Sequence, residues 1–559
     1  MKNIYKSLLV FLLIGAVACT SDFDEINKQP GAITTDEASA KYFLTNVQFV
    51  LYGPDRFPYW RGPLIHGDRF AGYFTFGFSG SWWNDGLGYT YNGGYTDATY
   101  DWLDGYLGGL DNFLEITAVG GEFENERMNA VGKILKGLYF TKFTDVFGEL
   151  PYSEAGDPDI LTPKFDTQME IYQGVLAELD EAIATIGSET STGAGVQDMA
   201  ENDLIFDGDL QKWKKLANTL KLKIGIRALG APGANFAETA INEALAGELM
   251  ETTGEDALLI KDEVISQWTS ASYGDVWHNF GGLGSKWHMG EVLINELRDN
   301  NDPRLSVFAK PAQGGSMTLR KPVNADEIKA FDLMKETLDD AGVVYNTSET
   351  ADEVTISFAA DQYYVGQPTR LNGIAQDYAA WEMFSTPADE IINPKNGGPI
   401  TPEIILTSAD AYFLRATAAV KGVSSEDANA MYQAGINSSM ERWGVGSGEI
   451  TDYLANSPMG TLSGTADEML EMINTQRWIA NYTNGFEGWS IVRKSGYPAA
   501  LAGGVSDTDI FSMGEINGAY PTRMRYGNSA RSTNGTNLDE AIGRQGPDAM
   551  DTKLWWAKD

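Results

Sequence analysis

Cysteine is almost absent from this chain. Cys19 is the only one in 559 residues, which excludes an intramolecular disulfide framework. Histidine is nearly as scarce: His66, His278 and His288 show no His-Glu-x-x-His or similar ligand spacing. With no further thiols to assist, they read as hydrogen-bonded loop residues rather than metal ligands. Positive charge is short too, with 41 Lys and Arg against 78 Asp and Glu and a net charge of −37. That balance argues against nucleic acid or an anionic membrane surface as a partner. Beyond the N-terminus no apolar run approaches the ~18 residues of a membrane-spanning helix. Neither a Gly-x-Ser-x-Gly elbow nor a Gly-x-x-x-x-Gly-Lys phosphate loop is present. So many carboxylates make close pairs by chance, so their abundance is no evidence of the paired acids that cleave glycosidic bonds.

What is present is apolar helical stripes and aromatic loops. Hydrophobic residues are 43% of the chain, enough for a substantial core. The stretch from Asn129 to Ile186 organises the rest. Val131, Ile134, Leu135, Leu138, Tyr139 and Phe143 recur at spacings of three and four, which draws one apolar stripe down a helix. After the break at Gly148-Glu149-Leu150-Pro151, Ile171, Tyr172, Val175, Leu176, Leu179 and Ile183 repeat the pattern. Two such helices cannot cover their stripes alone, so further helix pairs should stack on them.

The N-terminus has the form of a targeting segment. Lys2 and Lys6 precede an apolar run from Leu8 to Val17, and small residues Ala16 and Ala18 lead to Cys19. Ala16-Val17-Ala18-Cys19 resembles a bacterial lipobox, with Ala where Leu is common. The expectation is a signal peptide over 1–18, a lipid on Cys19, and a tether over 19–35 carrying the acidic run Ser21-Asp22-Phe23-Asp24-Glu25. A single domain over 36–559 would follow.

Along that domain, Thr34-Thr35-Asp36 is expected to cap a helix ending near Gly53-Pro54. Residues 57–94 are Gly-rich and aromatic and are expected to form an extended loop region. Helices are expected from Asp97 to Val119, from Asp209 as N-cap to a stop at Gly230, from Asn235 to Ala246, and from Met289 to Asn300. Residues 257–287 are a second irregular aromatic insertion, and 305–406 read as loops and short strands, Val354 to Phe358 being the best strand. A helix pair spans Thr407 to Val420 and Ala428 to Trp443, and Thr465-Ala466-Asp467-Glu468 has the spacing of a capping box opening a helix to Tyr482. The tail from Ile510 to Asp559 is turn-rich. Helix pairs without a repeated consensus suit a tetratricopeptide-like solenoid or a decorated helical bundle.

Several stretches together resemble the SusD/RagB family of Bacteroidetes nutrient-binding lipoproteins. They are Asp145-Val146-Phe147-Gly148-Glu149-Leu150-Pro151-Tyr152-Ser153-Glu154-Ala155, Phe165-Asp166-Thr167-Gln168, and Lys212-Trp213-Lys214-Lys215-Leu216-Ala217-Asn218. Asn301-Asp302-Pro303-Arg304-Leu305, Thr475-Gln476-Arg477-Trp478, Gly488-Trp489, Gly496-Tyr497-Pro498 and Pro521-Thr522-Arg523-Met524 continue in the family's order. Ala416-Thr417-Ala418 departs from the usual Ala-Glu-Ala. The resemblance implies a mainly α, tetratricopeptide-like fold of stacked helix pairs (the SusD-like fold), decorated with long aromatic loops and short strands. It also implies an outer-membrane surface location and a SusC-like TonB-dependent transporter as partner.

Flat rings flanked by hydrogen-bonding side chains suit a sugar, whose C–H faces stack on Trp or Tyr. By similarity to the family, Asp68, Arg69, Trp82, Trp83 and Asn84 are candidate ligand contacts, joined by Tyr273, Trp277 and Trp287. The competing reading makes the same rings local core. The Asp- and Asn-rich stretch from Asp198 to Asp209 could hold Ca²⁺, yet it lacks the Asp-x-Asp-x-Asp-Gly order, which favours a solvated turn and no cofactor. The stripe bearing Met440 and Trp443 could dock the transporter or be buried core. The expected function is noncatalytic capture of oligosaccharide for a transporter; the alternatives are an oligopeptide-binding member of the family and a surface glycan hydrolase.

Overall fold

A computed structural model describes residues 38–53, 56–76, 89, 91, 93–260, 287–369, 378–392, 401–504 and 515–558. The signal segment, Cys19, the tether and the expected Thr34-Thr35-Asp36 cap lie outside the described residues, as do Trp82, Trp83, Asn84, Tyr273, Trp277 and His278.

The principal helices are α1 (Lys41–Tyr52), α2 (Gly93–Thr117), α3 (Glu126–Phe147), α4 (Gln168–Ile186), α5 (Leu210–Ala228), α6 (Ala237–Ala246), α7 (Glu291–Asp299), α8 (Ala325–Asp340), α9 (Ser408–Val420), α10 (Ala428–Arg442), α11 (Ala466–Ala480), α12 (Gly485–Ser495) and α13 (Asn528–Gln545). Polar caps set several starts. Asn125 accepts from the N–H groups of Arg127 and Met128, Thr167 and Glu170 close a capping box on α4, Asp209 caps α5, and Thr465 and Glu468 box α11. Each satisfies backbone donors that a helix start leaves open.

The helices stack in the order the stripes require. α3 packs on α2 and α4, α4 on α5, α5 on α6 and α9, and α9 on α10 and α11. The α3 stripe is fully covered, with Val131, Ile134 and Leu135 at 0% exposure. Gly137 allows the closeness: a Cβ there would sit 3.2 Å from Val175 and 3.3 Å from Leu179 of α4. The result is the tetratricopeptide-like array of helix pairs.

Three expectations need correction. Residues 57–94 are not loop throughout, because Arg56–Tyr59 is α-helical and Trp60–Asp68 is a π-helix. Pro63 inside it lacks an N–H, and a widened ladder accommodates the gap. Residues 305–406 are not only loops and strands, since they contain α8, opened by an Asn324 and Glu327 capping box. Beside it lies a sheet in which β6 (Glu353–Ala359) pairs antiparallel with both β4 (Gly314–Arg320) and β5 (Asn346–Glu349). Met317, Leu319, Ile356 and Phe358 join α8's Leu333, Met334 and Leu338 in the core. The tail holds the 18-residue α13, whose polar sequence buries only Ala530, Asn534, Leu538 and Ala541. Arg544 ties it down through Glu149 at 2.6 Å.

Between Asp198 and Asp209, the buried Asp203 is used internally. Asp203 accepts from Gln48 Nε2 at 2.7 Å, Gly208 N at 2.9 Å and Trp213 Nε1 at 2.8 Å. Met440 is fully buried with Phe413 and Tyr432, and half-buried Trp443 meets Phe308 edge-on at 4.8 Å, so that stripe packs into the interior. Among the described residues no helix is long and apolar enough to cross a membrane.

Candidate functional site

One short strand pair brings the two aromatic segments of the sequence to a common root. β1 (Phe74–Phe76) runs antiparallel to β3 (Trp287–Met289), with Phe74 opposite Met289, Thr75 opposite His288 and Phe76 opposite Trp287. β2 (Ala257–Leu259) pairs separately with β7 (Glu403–Leu406). Phe76 is the last described residue before the segment of Trp82, Trp83 and Asn84. Trp287 is the first described residue after the segment of Tyr273 and Trp277. Both segments therefore depart from facing positions on one ladder.

A third segment meets them. The chain around Gln367 lies along the other side of β3: Gln367 N donates to Met289 O at 2.9 Å, and Met289 N donates to Ser385 O at 3.0 Å. Residues 370–377, which join those two limbs, lie outside the described residues.

The root is held rigidly from below. Tyr73 OH donates to Trp478 O at 2.6 Å, Trp478 Nε1 to Ala71 O at 2.8 Å, and Trp489 Nε1 to Pro521 O at 2.7 Å. α12 comes close because Gly485 faces Asp68: a Cβ at Gly485 would collide with the Asp68 backbone nitrogen. Under this contact runs a buried ionic chain. Arg227 of α5 pairs with Asp145 and, at 2.5 Å, with Glu487; Arg477 donates to Glu487 at 2.6 Å and to Asp410 at 3.1 Å; Lys223 lies 3.3 Å from Glu487. Burial pushes the Glu487 carboxyl up, but Arg227, Lys223 and Arg477 outweigh it and hold the group well below the usual carboxylate range.

The described candidate residues lie inside this support. Asp68 is 0% exposed, Arg69 7%, Trp287 4% and His288 0%. Trp287 meets Phe74 edge-on at 6.2 Å, and Arg69 stands over the Tyr89 ring at 5.9 Å. Asp68, Arg69 and Trp287 thus pack the root from which the segments emerge. His66, also buried, is held neutral, its pKa lowered to about 3 by burial and then by Arg69.

Four rings on the stretches adjoining those segments are less buried and are called the rim rings below; none was singled out by sequence reasoning. Tyr378 is 42% exposed, and half-buried Trp381 lies over His288 at 5.0 Å. On the return limb of the first segment, half-buried Tyr91 lies under Arg525 at 3.9 Å. Half-buried Tyr95 packs edge-on to Trp60 at 5.3 Å with Arg61 5.7 Å away. Isolated Tyr and Trp in a Gly-rich stretch carry no periodic signal, so only packing distinguishes rim from root. Rings beside guanidinium groups can stack on a sugar's C–H face and donate to its hydroxyls. Among the described residues no group of three or more His, Cys, Asp or Glu side chains is arranged to hold a metal.

Residues 82–527 match the SusD-like family, described as "Starch-binding associating with outer membrane". The chain superposes with TM-score 0.72 on a SusD homologue from Bacteroides uniformis, at 22% identity over 93% of this chain and 99% of that one. It superposes with TM-score 0.71 on a structure named as a chitin-binding protein, at 24% identity over 93% and 100%. A chitin-binding SusD homologue from Flavobacterium johnsoniae gives TM-score 0.68 at 19% identity over 93% and 99%. No curated protein matches the chain in sequence.

Proposed function

Since the chain belongs to the SusD-like family, we propose that it is a cell-surface carbohydrate-binding protein that captures oligosaccharide and delivers it, without cleaving it, to a SusC-like TonB-dependent transporter. The observation that carries the reading is the facing pair Phe76 and Trp287, which gives the Trp82-Trp83-Asn84 segment and the Tyr273 and Trp277 segment one origin. Aromatic side chains on both are the proposed sugar contacts. Rim rings Tyr378, Trp381, Tyr91 and Tyr95 extend the same chemistry. Lipid on Cys19 would hold the protein at the outer membrane. The family description names starch, and two structural relatives are named for chitin, so malto- and chito-oligosaccharides are the ligands to try first.

Calorimetric titration against both series, with Trp82→Ala and Trp83→Ala alongside, tests the reading. Binding of one series, weakened tenfold or more in either variant, supports it. Peptide binding that neither substitution changes would refute it, and release of shorter sugars during the titration would refute the noncatalytic part.

A further inference from the structure

Six asparagines of this chain precede glycine. Asn92, Asn372 and Asn396 lie outside the described residues; Asn484, Asn517 and Asn534 lie within them. In an unfolded chain these three share one chemistry, because glycine has no Cβ to hinder the approach of its nitrogen to the asparagine side chain. The fold gives them different environments.

Asn534 is buried within α13 and its carboxamide is held at both ends, Nδ2 donating to Pro163 O at 2.6 Å and Oδ1 accepting from Asn537 Nδ2 at 2.9 Å. Half-buried Asn484 precedes α12, where Gly485 is wedged against the Asp68 backbone. A ring closing through either glycine nitrogen would have to displace those contacts. Asn517 is exposed at the tip of a tight turn, between buried Ile516 and Tyr520. Ala519 N donates to Ile516 O at 3.0 Å, and φ is +49° at Asn517 and +76° at Gly518. That is the signature of a type I′ turn, whose left-handed backbone asparagine and glycine tolerate best. Among the described residues the Asn517 carboxamide has no hydrogen-bond partner.

We propose that Asn517 is a site of spontaneous deamidation, converting with time to aspartate and isoaspartate. The Gly518 amide nitrogen bonds to Asn517 Cγ as the Cγ–Nδ2 bond breaks. Nδ2 leaves as ammonia with the proton of that amide, so a succinimide ring closes without any redox change. Water then opens the ring at either imide carbonyl. Opening at Cγ yields aspartate; opening at the main-chain carbonyl yields isoaspartate, which routes the chain through an extra methylene. Both products are carboxylates and carry negative charge at neutral pH. That charge falls in the turn that carries Glu515, which lies 3.4 Å from Arg525, the guanidinium over the Tyr91 ring at 3.9 Å.

The test is incubation of the purified protein in mildly alkaline buffer, with a parallel incubation in urea, followed by peptide mapping with mass spectrometry and isoaspartyl methyltransferase labelling. In the folded protein Asn517 is expected to convert about tenfold faster or more than Asn484 and Asn534. In urea the three rates are expected to approach one another, because only the fold separates them. Asn517→Gly, which suits the same turn, removes the label from the peptide carrying residue 517 and leaves the melting temperature unchanged. A folded protein in which Asn484 or Asn534 converts as fast as Asn517 overturns the proposal. So does one in which Asn517 stays intact while the chain in urea converts.

Discussion

Arg227 of α5 reaches across to Glu487 of α12, Nη2 to Oε1 at 2.5 Å, with side chains 4% and 8% exposed. Those two helices belong to stretches 260 residues apart, and the pair locks the α5 end of the array to the helix that supports the β1–β3 root. Breaking a buried pair from one side costs far more than the pair contributes, because the remaining charge keeps its desolvation penalty.

Glu487→Gln is therefore expected to destabilise the protein by about 3–5 kcal/mol, since Arg227, Lys223 and Arg477 all lose a counter-charge. The pH dependence has a definite sign. The folded-state pKa of Glu487 lies below its unfolded value, so its contribution is fully present above the unfolded pKa of ~4.3 and fades as pH falls towards the depressed folded value. Denaturant melts at pH 7 and pH 3 should show a large gap between wild type and variant at pH 7 that narrows at pH 3. An equal gap at both would refute the assignment.

Glu296 on α7 carries the opposite shift. Burial raises its pKa to about 7, with Glu471 and Asp299 adding repulsion. The folded state thus binds the proton more tightly than the unfolded chain, so wild-type stability rises as pH falls from about 8 through 7 towards the unfolded value near 4.5. Glu296→Gln should be more stable than wild type at pH 8, by on the order of 1–2 kcal/mol after solvent screening, and equal to it at pH 4.5. Thermal melts at the two pH values decide it.

Strong helical periodicity made α3, α4 and α5 legible from residues alone, and Asp209 and Thr465 marked starts that the structure reproduces. α8 was equally readable. Asn324 and Glu327 have capping-box spacing, and Ala330, Leu333, Met334 and Leu338 form a stripe, but loop-like flanks masked it. The π-helix over Trp60–Asp68 was not readable, because Gly62, Pro63 and Gly67 signal a break and only packing against α2 and α12 makes that backbone favourable. The same limit applied to the site. Asp68, Arg69 and Trp287 look in sequence like any polar or aromatic loop residue, and their burial depends on partners hundreds of residues away, Gly485 and Trp478 among them.

Arg304 and Asp302 form a fully buried pair in which Nε and Nη2 of Arg304 meet both carboxylate oxygens, at 2.9 and 2.5 Å. Nη1 also donates to Ser439 at 2.9 Å and Nη2 to Gln476 at 2.6 Å, which joins α10 to α11. Arg304→Lys keeps the charge but not the planar fork, so it should lose about 2–4 kcal/mol. Arg304→Met should lose more, and adding Asp302→Leu should recover part of that loss. Urea titrations of the three variants measure the order; a double variant less stable than Arg304→Met would contradict it.

Root and ligand contact separate cleanly in experiment. Trp287 is 4% exposed and edge-on to Phe74, so Trp287→Ala should cost about 3–5 kcal/mol of stability through the cavity it leaves. Its effect on sugar affinity should follow only from loosening the ladder opposite Phe76, and Trp287→Phe should restore most of both. Trp82→Ala should behave the other way, with stability within about 0.5 kcal/mol of wild type and affinity lowered tenfold or more. Urea melts and sugar titrations on the same preparations give both axes. If Trp287→Phe folds as stably as wild type yet loses the sugar, then Trp287 touches ligand directly and its burial describes only the unbound protein.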